Sequence, residues 1–394
     1  MPLPLASLVL IAIACLGAVL LVAEITCLWI VRDRSLREPA TFPSFSVIKP
    51  LCGLDDELKE NLESHLETDY PGPFEVLLGV RNEKDLAYPL AKAFADAHPD
   101  KVRLVLQQGE PGHNPKVNQL ITLTREAKYE IIALTDSNVR VFPRYLQEHA
   151  AVLEDPKIGL SSHLFTGVGE QRLGAILDNL TLASFCAPNI AIGSVVMRLD
   201  QIVGKSIALR REVLAEVGGW HEVKDVLAED QRLGSALRKM GLRTALCRTP
   251  VLNVQRTQSF AQFWGRHTRW AMIRFRVLMP GVLFEPLLNP FLFALAAALV
   301  APRSPVAWTF ALGAAVYSMA VTQVSAMLTR GHPFALTHML LIPVRDLLLF
   351  FAWLRGSTKR WVTWRGTRLQ VLSKTRLAAA DALARAKNIH RLSR

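Results

Sequence analysis

The sequence contains no C-x-x-C pair. Its five cysteines (Cys15, Cys27, Cys52, Cys186 and Cys247) are scattered over 394 residues, so their spacing encodes neither a disulfide framework nor a zinc site, and an odd set of this kind suits a reducing compartment. The phosphate-cradling patterns G-x-G-x-x-G and G-x-x-x-x-G-K-[ST] are also missing, which leaves dinucleotide and P-loop chemistry unsupported. No internal repeat is present, which argues against a solenoid or propeller. Acid is the scarcer charge: 34 Asp and Glu stand against 46 Lys and Arg, a net +12. A surplus of that sign suits phosphates, anionic lipid head groups or nucleic acid without choosing among them. What the chain has in quantity is apolar residues, 51% of the total beside 20% charged, which excludes a disordered or fibrous protein.

Those apolar residues are unevenly spread. Residues 5–23, LASLVLIAIACLGAVLLVA, form an unbroken run that as a helix can cross a hydrocarbon core of roughly 30 Å. No basic residue precedes the run, and Glu24 and Trp29 follow where a signal peptidase needs small side chains, so a transmembrane anchor over 1–31 is expected rather than a cleaved leader. Arg32, Arg34 and Arg37 come next, and the positive-inside rule then puts the following chain in the cytosol. Long apolar character is expected to return only after Pro280, in 286–301, 305–321 and 334–354, making 277–360 a membrane region of two or three spans or re-entrant pieces. Asn289 and Pro290 interrupt the first of these, and Arg345 with Asp346 in the last must face protein or the interface. A buried soluble hairpin is the alternative. Residues 361–394 alternate apolar and basic positions at helical spacing, which predicts an amphipathic tail helix, surface-lying or merely solvated.

Between 43 and 276 the pattern changes to short apolar runs alternating with helical stretches, a separate cytosolic domain. Residues 44–51, 74–80, 102–107 and 130–136 read as buried strands, and 56–67 and 86–98 as helices between them. Strand and helix in alternation predict an α/β fold with a mostly parallel sheet flanked by helices, whose ligands bind beyond the carboxyl ends of the strands.

Polar residues at those ends are the candidates for chemistry. Asp85 follows the second strand in RNEKD and Asp136 ends the fourth in TDSN. Two such carboxylates can hold a nucleotide and a cation bridging its phosphates, and hard oxygen ligands suit Mg²⁺ or Mn²⁺; an ordinary turn or cap role is the alternative for each. LAED (227–230) opens a helix that Gly241 should end. There Asp230 is placed either to cap the helix with Glu229 or to take a proton from an attacking hydroxyl. RHTRW (266–270) lies in a stretch rich in arginine and aromatics, including Trp264, which suits an interfacial helix or a phosphate clamp. PGHNPK puts His113, Asn114 and Lys116 on a turn before a helix, and Lys49 sits near the end of the first strand. Either lysine can reach phosphate or be solvated.

In their order these pieces resemble the ceramide glucosyltransferase family of membrane-bound inverting glycosyltransferases. The residues that carry the resemblance are KPLCGLDDELKENLESHLETDYP, GHNPKVNQL, TDSNVRV, GGW…LAEDQRLG and RHTRW followed by MPG…EP, over about 47–286. The resemblance implies a GT-A fold, a UDP-sugar donor, UDP-glucose before others, and a divalent cation. By motif, Asp85 is similar to the family's nucleotide-contacting aspartate, with Glu83 as a competitor for that place, and Asp136 to the aspartate serving nucleotide and metal. Asp230 is similar to the proposed catalytic base. Arg266, Arg269 and Trp270 match the (Q/R)xxRW motif at the donor and acceptor site. From the residues alone, Lys49 and Lys116 are the further candidates for nucleotide-sugar binding, and Trp264 and His267, with Trp270, for the acceptor or interface side. The chain departs from a textual D-x-D, having Asn138 at the third position.

The expected reaction is transfer of a sugar to the primary hydroxyl of a membrane lipid, ceramide first, with inversion. Diacylglycerol or hopanoid acceptors are the nearest rivals, because the short chain and Arg-rich anchor flank suit a bacterial inner membrane. A processive polysaccharide synthase needs more spans, and a non-enzymatic basic membrane protein leaves the aspartates at strand ends unexplained. The expected partners are therefore donor, lipid and bilayer, without nucleic acid.

Overall fold

Burial runs unbroken through FSVIKP at Phe45–Pro50 (β1) and FEVLLGV at Phe74–Val80 (β2), the pattern of strands covered on both faces. The computed structural model describes residues 2–35, 37–199, 202–364 and 367–379, and the chain divides into two units. One holds Ser35–Leu164, Leu199–Val254 and the chain from Arg360; the other holds the chain to Arg34, Phe165–Arg198 and Gln255–Lys359.

The first unit is built on a seven-stranded sheet. After β1 and β2 come Val102–Leu106 (β3), Ile131–Thr135 (β4), Ile158–Ser162 (β5), Ser206–Arg210 (β6) and Arg243–Leu246 (β7), in the order β3-β2-β1-β4-β6-β5-β7. Only β6 runs against its neighbours. Helices Leu58–Leu66, Tyr88–Ala97, Pro115–Glu126 and Tyr145–Leu153 intervene, so the mostly parallel α/β sheet expected from the sequence is present. Ile48, Leu77, Leu120, Leu134 and Leu209 pack in one core cluster, each such burial being worth about 1.5–3 kcal/mol.

Residues 361–379 differ from expectation. They form a three-stranded antiparallel sheet, Trp361–Trp364, Thr367–Val371 and Leu377–Ala379, where a tail helix is predicted. The alternation has period two, burying Val362, Leu369 and Val371 while Arg368 stays exposed, and this pairing wins over the helical spacing. The rest of the predicted tail, 380–394, lies outside the described residues.

The second unit is helical. Leu5–Arg32, Leu173–Val195 and Pro305–Arg330 are each long and apolar enough to cross a membrane, and Gly281–Leu288 with Pro290–Val300, bent by 72°, adds a possible fourth span. Apolar character therefore does not wait for Pro280: Asp178, Asn179 and Pro188 break up the Leu173–Val195 run and hide it from a search for unbroken hydrophobicity. Residues 165–198 and 255–276 belong with the helices, whereas the sequence reading keeps 43–276 together. Helices meet through small residues, with Ala14, Ala294, Ala298 and Ala307 in one cluster, as close backbone approach in membrane helices requires. Ser7 Oγ donates to Ala297 O at 3.0 Å and Tyr317 OH to Ala18 O at 2.7 Å. Arg345 and Asp346 are both buried and paired with each other, and Arg345 also donates to Leu180 O at 3.2 Å, so their charges face protein as their cost demands.

Candidate active site

Asp136 stands just past the carboxyl end of β4. The β4–β6 register pairs Thr135 with Ser206, which brings Lys205 alongside, and its Nζ lies 2.9 Å from Asp136 Oδ2 and 3.0 Å from Asn138 Oδ1. A second ammonium arrives from the helix Pro115–Glu126. Asn114 caps that helix, its side chain accepting from the Lys116 amide at 3.0 Å and the Val117 amide at 3.2 Å. The cap fixes Lys116 in the first turn, with Nζ 2.9 Å from Asp136 Oδ1 and 3.3 Å from Glu229 Oε1, and donating to Gly204 O at 3.0 Å. Asp230 opens the helix Glu229–Lys239, and its carboxylate accepts from the Gly204 amide at 2.9 Å and the Gln231 amide at 2.8 Å. Asp136, Lys116 and Asp230, chosen from sequence, thus share one network with Lys205, Glu229 and Gly204.

Charge is distributed unequally across it. Burial opposes ionisation of Asp136, yet the Lys116 and Lys205 ammoniums outweigh it and hold the carboxyl far below the usual range. Burial likewise opposes the charge on Lys116, and Asp136 and Glu229 overcome it, so Lys116 stays protonated beyond the ordinary lysine range. For Asp230 burial dominates and pushes the carboxyl up despite the Gly204 amide. Glu229 is raised in the same way.

Asp85 sits apart from this network. Its Oδ1 accepts from the Gly53 amide at 2.8 Å and the Ala87 amide at 2.9 Å, tying the loop after β2 to the loop after β1. The same β1 loop reaches the loop after β4, where Ser137 donates to Asp55. Glu83 is exposed and accepts from the Tyr88 hydroxyl at 3.2 Å. Lys49 needs correction as a phosphate ligand: it is fully buried, donating to Asp136 O at 2.8 Å and Val139 O at 2.9 Å. Its ammonium fixes the backbone under Asp136, and burial draws its pKa down to about 7.

In the helical unit, Phe260–Val277 carries RHTRW and begins with a capping box of Ser259 and Gln262. Arg266 Nη1 pairs with Asp178 Oδ2 at 2.7 Å and His267 Nε2 with Asp178 Oδ1 at 2.8 Å. The Trp270 ring lies 5.9 Å from the Arg266 guanidinium and 5.3 Å, edge-on, from the His267 ring. Arg269 has no carboxylate partner among the described residues, and burial, with Arg266 beside it, draws its pKa down to about 10. Trp264 is half-buried on the same helix.

The profile of glycosyl transferase family 21 matches residues 9–377. The chain belongs to that family. Ceramide glucosyltransferase 1 of Caenorhabditis elegans is 28% identical over 249 residues, 63% of this chain and 53% of that protein. Ceramide glucosyltransferase 3 of the same organism is 27% identical over 260 residues, 65% and 56% of the two. The chain therefore spans about half the length of the curated relatives it matches. Among solved structures, a mannosyltransferase from Pyrobaculum calidifontis in complex with GDP-Man and Mn²⁺ is 21% identical with a TM-score of 0.48, covering 88% of this chain and 98% of that one.

For this family 21 chain the oxygen donors fit a divalent cation in one respect. Asp136 and Asn138 present a carboxylate and an amide oxygen to one point, and that point holds the ammonium of Lys205. A cation position is built there, filled by the Lys205 ammonium. Lys205 and Asp178 are the partners that sequence reasoning missed. Only the antiparallel β6 brings Lys205 to Asp136, and Asp178 lies 88 residues from Arg266.

Proposed function

We propose that the chain transfers a sugar, glucose before others, from a UDP-sugar to the primary hydroxyl of a membrane lipid, ceramide before others, with inversion. The observation that carries this reading is the Asp230 carboxylate, half-buried at a helix N-terminus, oriented by the Gly204 amide and joined to Asp136 through Lys116. Its raised proton affinity suits a base that removes a proton from an alcohol. The alcohol oxygen forms its bond to the anomeric carbon as the bond to the diphosphate oxygen breaks on the opposite face, so one displacement inverts the centre. UDP leaves with the developing negative charge. Lys116 and Lys205 are the cations beside Asp136 that answer it, and the RHTRW motif offers Arg269 as a further phosphate ligand, its neighbour Arg266 being engaged by Asp178. A divalent cation held by Asp136 and Asn138 would take the place of the Lys205 ammonium between them and supply that neutralisation there. Asp85 orders the donor-side loops through Gly53, and Trp264, His267 and Trp270 serve the acceptor or interface side.

The lipid acceptor is supported by family membership, by the relatives' names and by the apolar helices Leu5–Arg32 and Pro305–Arg330. The chain is then an integral membrane protein whose catalytic unit works at the cytosolic face, of a bacterial inner membrane in the first instance. The test is release of UDP from UDP-glucose by the purified protein in detergent with Mn²⁺, supplied in turn with ceramide, diacylglycerol and a hopanoid. Release that needs ceramide is the expected result. Release with another lipid alone would reassign the acceptor, and no lipid-dependent release from any UDP-sugar would overturn the reading.

A further inference from the structure

Beside the Asp230 network but sharing none of its side chains, three metal-ligating side chains meet inside the sheet unit. His149 lies on the helix Tyr145–Leu153, His163 follows β5 and Cys247 follows β7, and one ligand atom of each lies within 4.8 Å of the others. All three are buried, the two histidines completely. β7 pairs in parallel with β5, and the Cys247 amide donates to Ser162 O at 2.8 Å, so the sheet itself places Cys247 beside His163.

The hydrogen bonds around the imidazoles fix which nitrogen is left. His163 Nδ1 faces the Thr249 carbonyl at 2.6 Å, which accepts only, so Nδ1 carries the proton. His149 Nδ1 lies 2.7 Å from Ser161 Oγ and 3.8 Å from Cys247 Sγ. His163 is therefore left with an Nε2 lone pair, and among the described residues the Nε2 atoms of both rings are buried without a hydrogen-bond partner. Two orphaned ring nitrogens in one interior are costly unless something takes them.

We propose that His149, His163 and Cys247 form a structural site for a borderline-soft d-block cation, Zn²⁺ or Cu⁺, which imidazole nitrogen and thiolate together select. Bonds of about 2.0–2.3 Å would bring the three ligand atoms to within roughly 3.5 Å of one another, a rotamer-scale adjustment from the present spacing. The surroundings supply an outer shell. Thr249 O and Ser161 Oγ orient the rings as carbonyls and hydroxyls do around bound metals. Glu148 Oε2 lies 4.0 Å from His163 Nδ1 and adds a second negative charge near the thiolate, held in place by the Thr249 amide at 2.9 Å. Phe142 and Tyr145 stack edge-on against the histidines and keep the site dry. The metal would clamp β5, β7 and the Tyr145–Leu153 helix together.

The test is elemental analysis of the full chain purified in detergent without chelator. The expected result is roughly one Zn or Cu per chain that survives dialysis against EDTA. Asp136→Asn should retain it, whereas Cys247→Ser and His163→Asn should each lower it at least tenfold. If those variants do not fold, Co²⁺ added to stripped wild-type protein decides, because a thiolate-to-cobalt charge-transfer band reports Cys247 ligation directly. Metal-free protein that also gives no such band overturns the proposal, as does a bound metal that both variants retain.

Discussion

Lys205 reaches from β6 to Asp136 at 2.9 Å, and the same ammonium meets Asn138 at 3.0 Å. A lysine standing between two oxygens of a would-be cation site competes with any divalent ion for them. Lys205→Met should therefore raise the affinity of the nucleotide-free protein for Mn²⁺ by about tenfold, the equivalent of about 1.4 kcal/mol. Calorimetric titration reads this directly. An unchanged affinity would remove Asp136 from cation binding.

Asp230→Asn keeps the shape of the side chain and its contact with Gly204 but removes the base. The turnover number should fall by roughly 10²–10⁴-fold, while UDP still protects the protein against heat through the intact Lys116 and Asp136 pair. Near-normal turnover would take Asp230 out of the base role.

The acidic limb of the pH profile follows from the same carboxyl. Burial raises Asp230 above the ordinary aspartate value of about 3.9. A base works only when deprotonated, so activity is present above the raised pKa and is lost as pH falls through it. Lys116 lowers the pKa of Asp230, so Lys116→Met should move the limb to still higher pH. A limb at the ordinary aspartate value in wild type, or one moving downward in the variant, would contradict this assignment.

Much of this arrangement was legible in the sequence because local pattern decides it. Continuous apolar runs mark β1, β2 and β4 within a residue or two, whereas Lys116, which reads as a turn residue before a helix, lies in the first turn of that helix. Asp136 and Asp230 were accessible because strand ends and helix starts are where chain direction puts side chains to use. Pairings between distant segments were not legible. Lys205 needs the antiparallel β6, and Lys49 reads as an exposed strand end until the sheet closes over it. The Leu173–Val195 helix was missed because its polar residues, Asp178 among them, exist to meet Arg266 and His267. The tail from 361 was misread because a short basic and apolar alternation serves period two as well as period 3.6.

Asp178 and Arg269 separate structure from binding on the RHTRW helix. Asp178→Ala leaves the charged Arg266 without its counter-ion and His267 without its acceptor, and should cost about 3 kcal/mol of stability, seen as a lowered thermal midpoint in detergent. Arg269→Ala removes a guanidinium that makes no ion pair among the described residues, so the midpoint should hold while UDP affinity drops roughly 10-fold or more, as for loss of a hydrogen bond to a charged group. Equal effects of both variants on stability would argue against Arg269 as a phosphate ligand.

The segment that leads into Asp230 is held from both sides. The Asn114 side chain donates to Val226 O at 2.8 Å and the His113 amide to the Asp225 carboxylate at 2.8 Å. From the other side the Leu377 amide donates to Asp225 O at 2.7 Å, and Thr375 O accepts from the Leu227 amide at 2.9 Å. Leu377→Pro removes one of those donors, and a base whose loop is free to shift by an ångström loses most of its reach to the hydroxyl. Turnover should fall roughly 10²-fold with UDP affinity little changed. Leu377→Ala is the control: it loses the same buried side chain but keeps the amide, so it should lower the thermal midpoint while turnover of the folded protein stays near wild type. If the two variants lose turnover equally, the three-stranded sheet of residues 361–379 contributes packing alone and does not position Asp230.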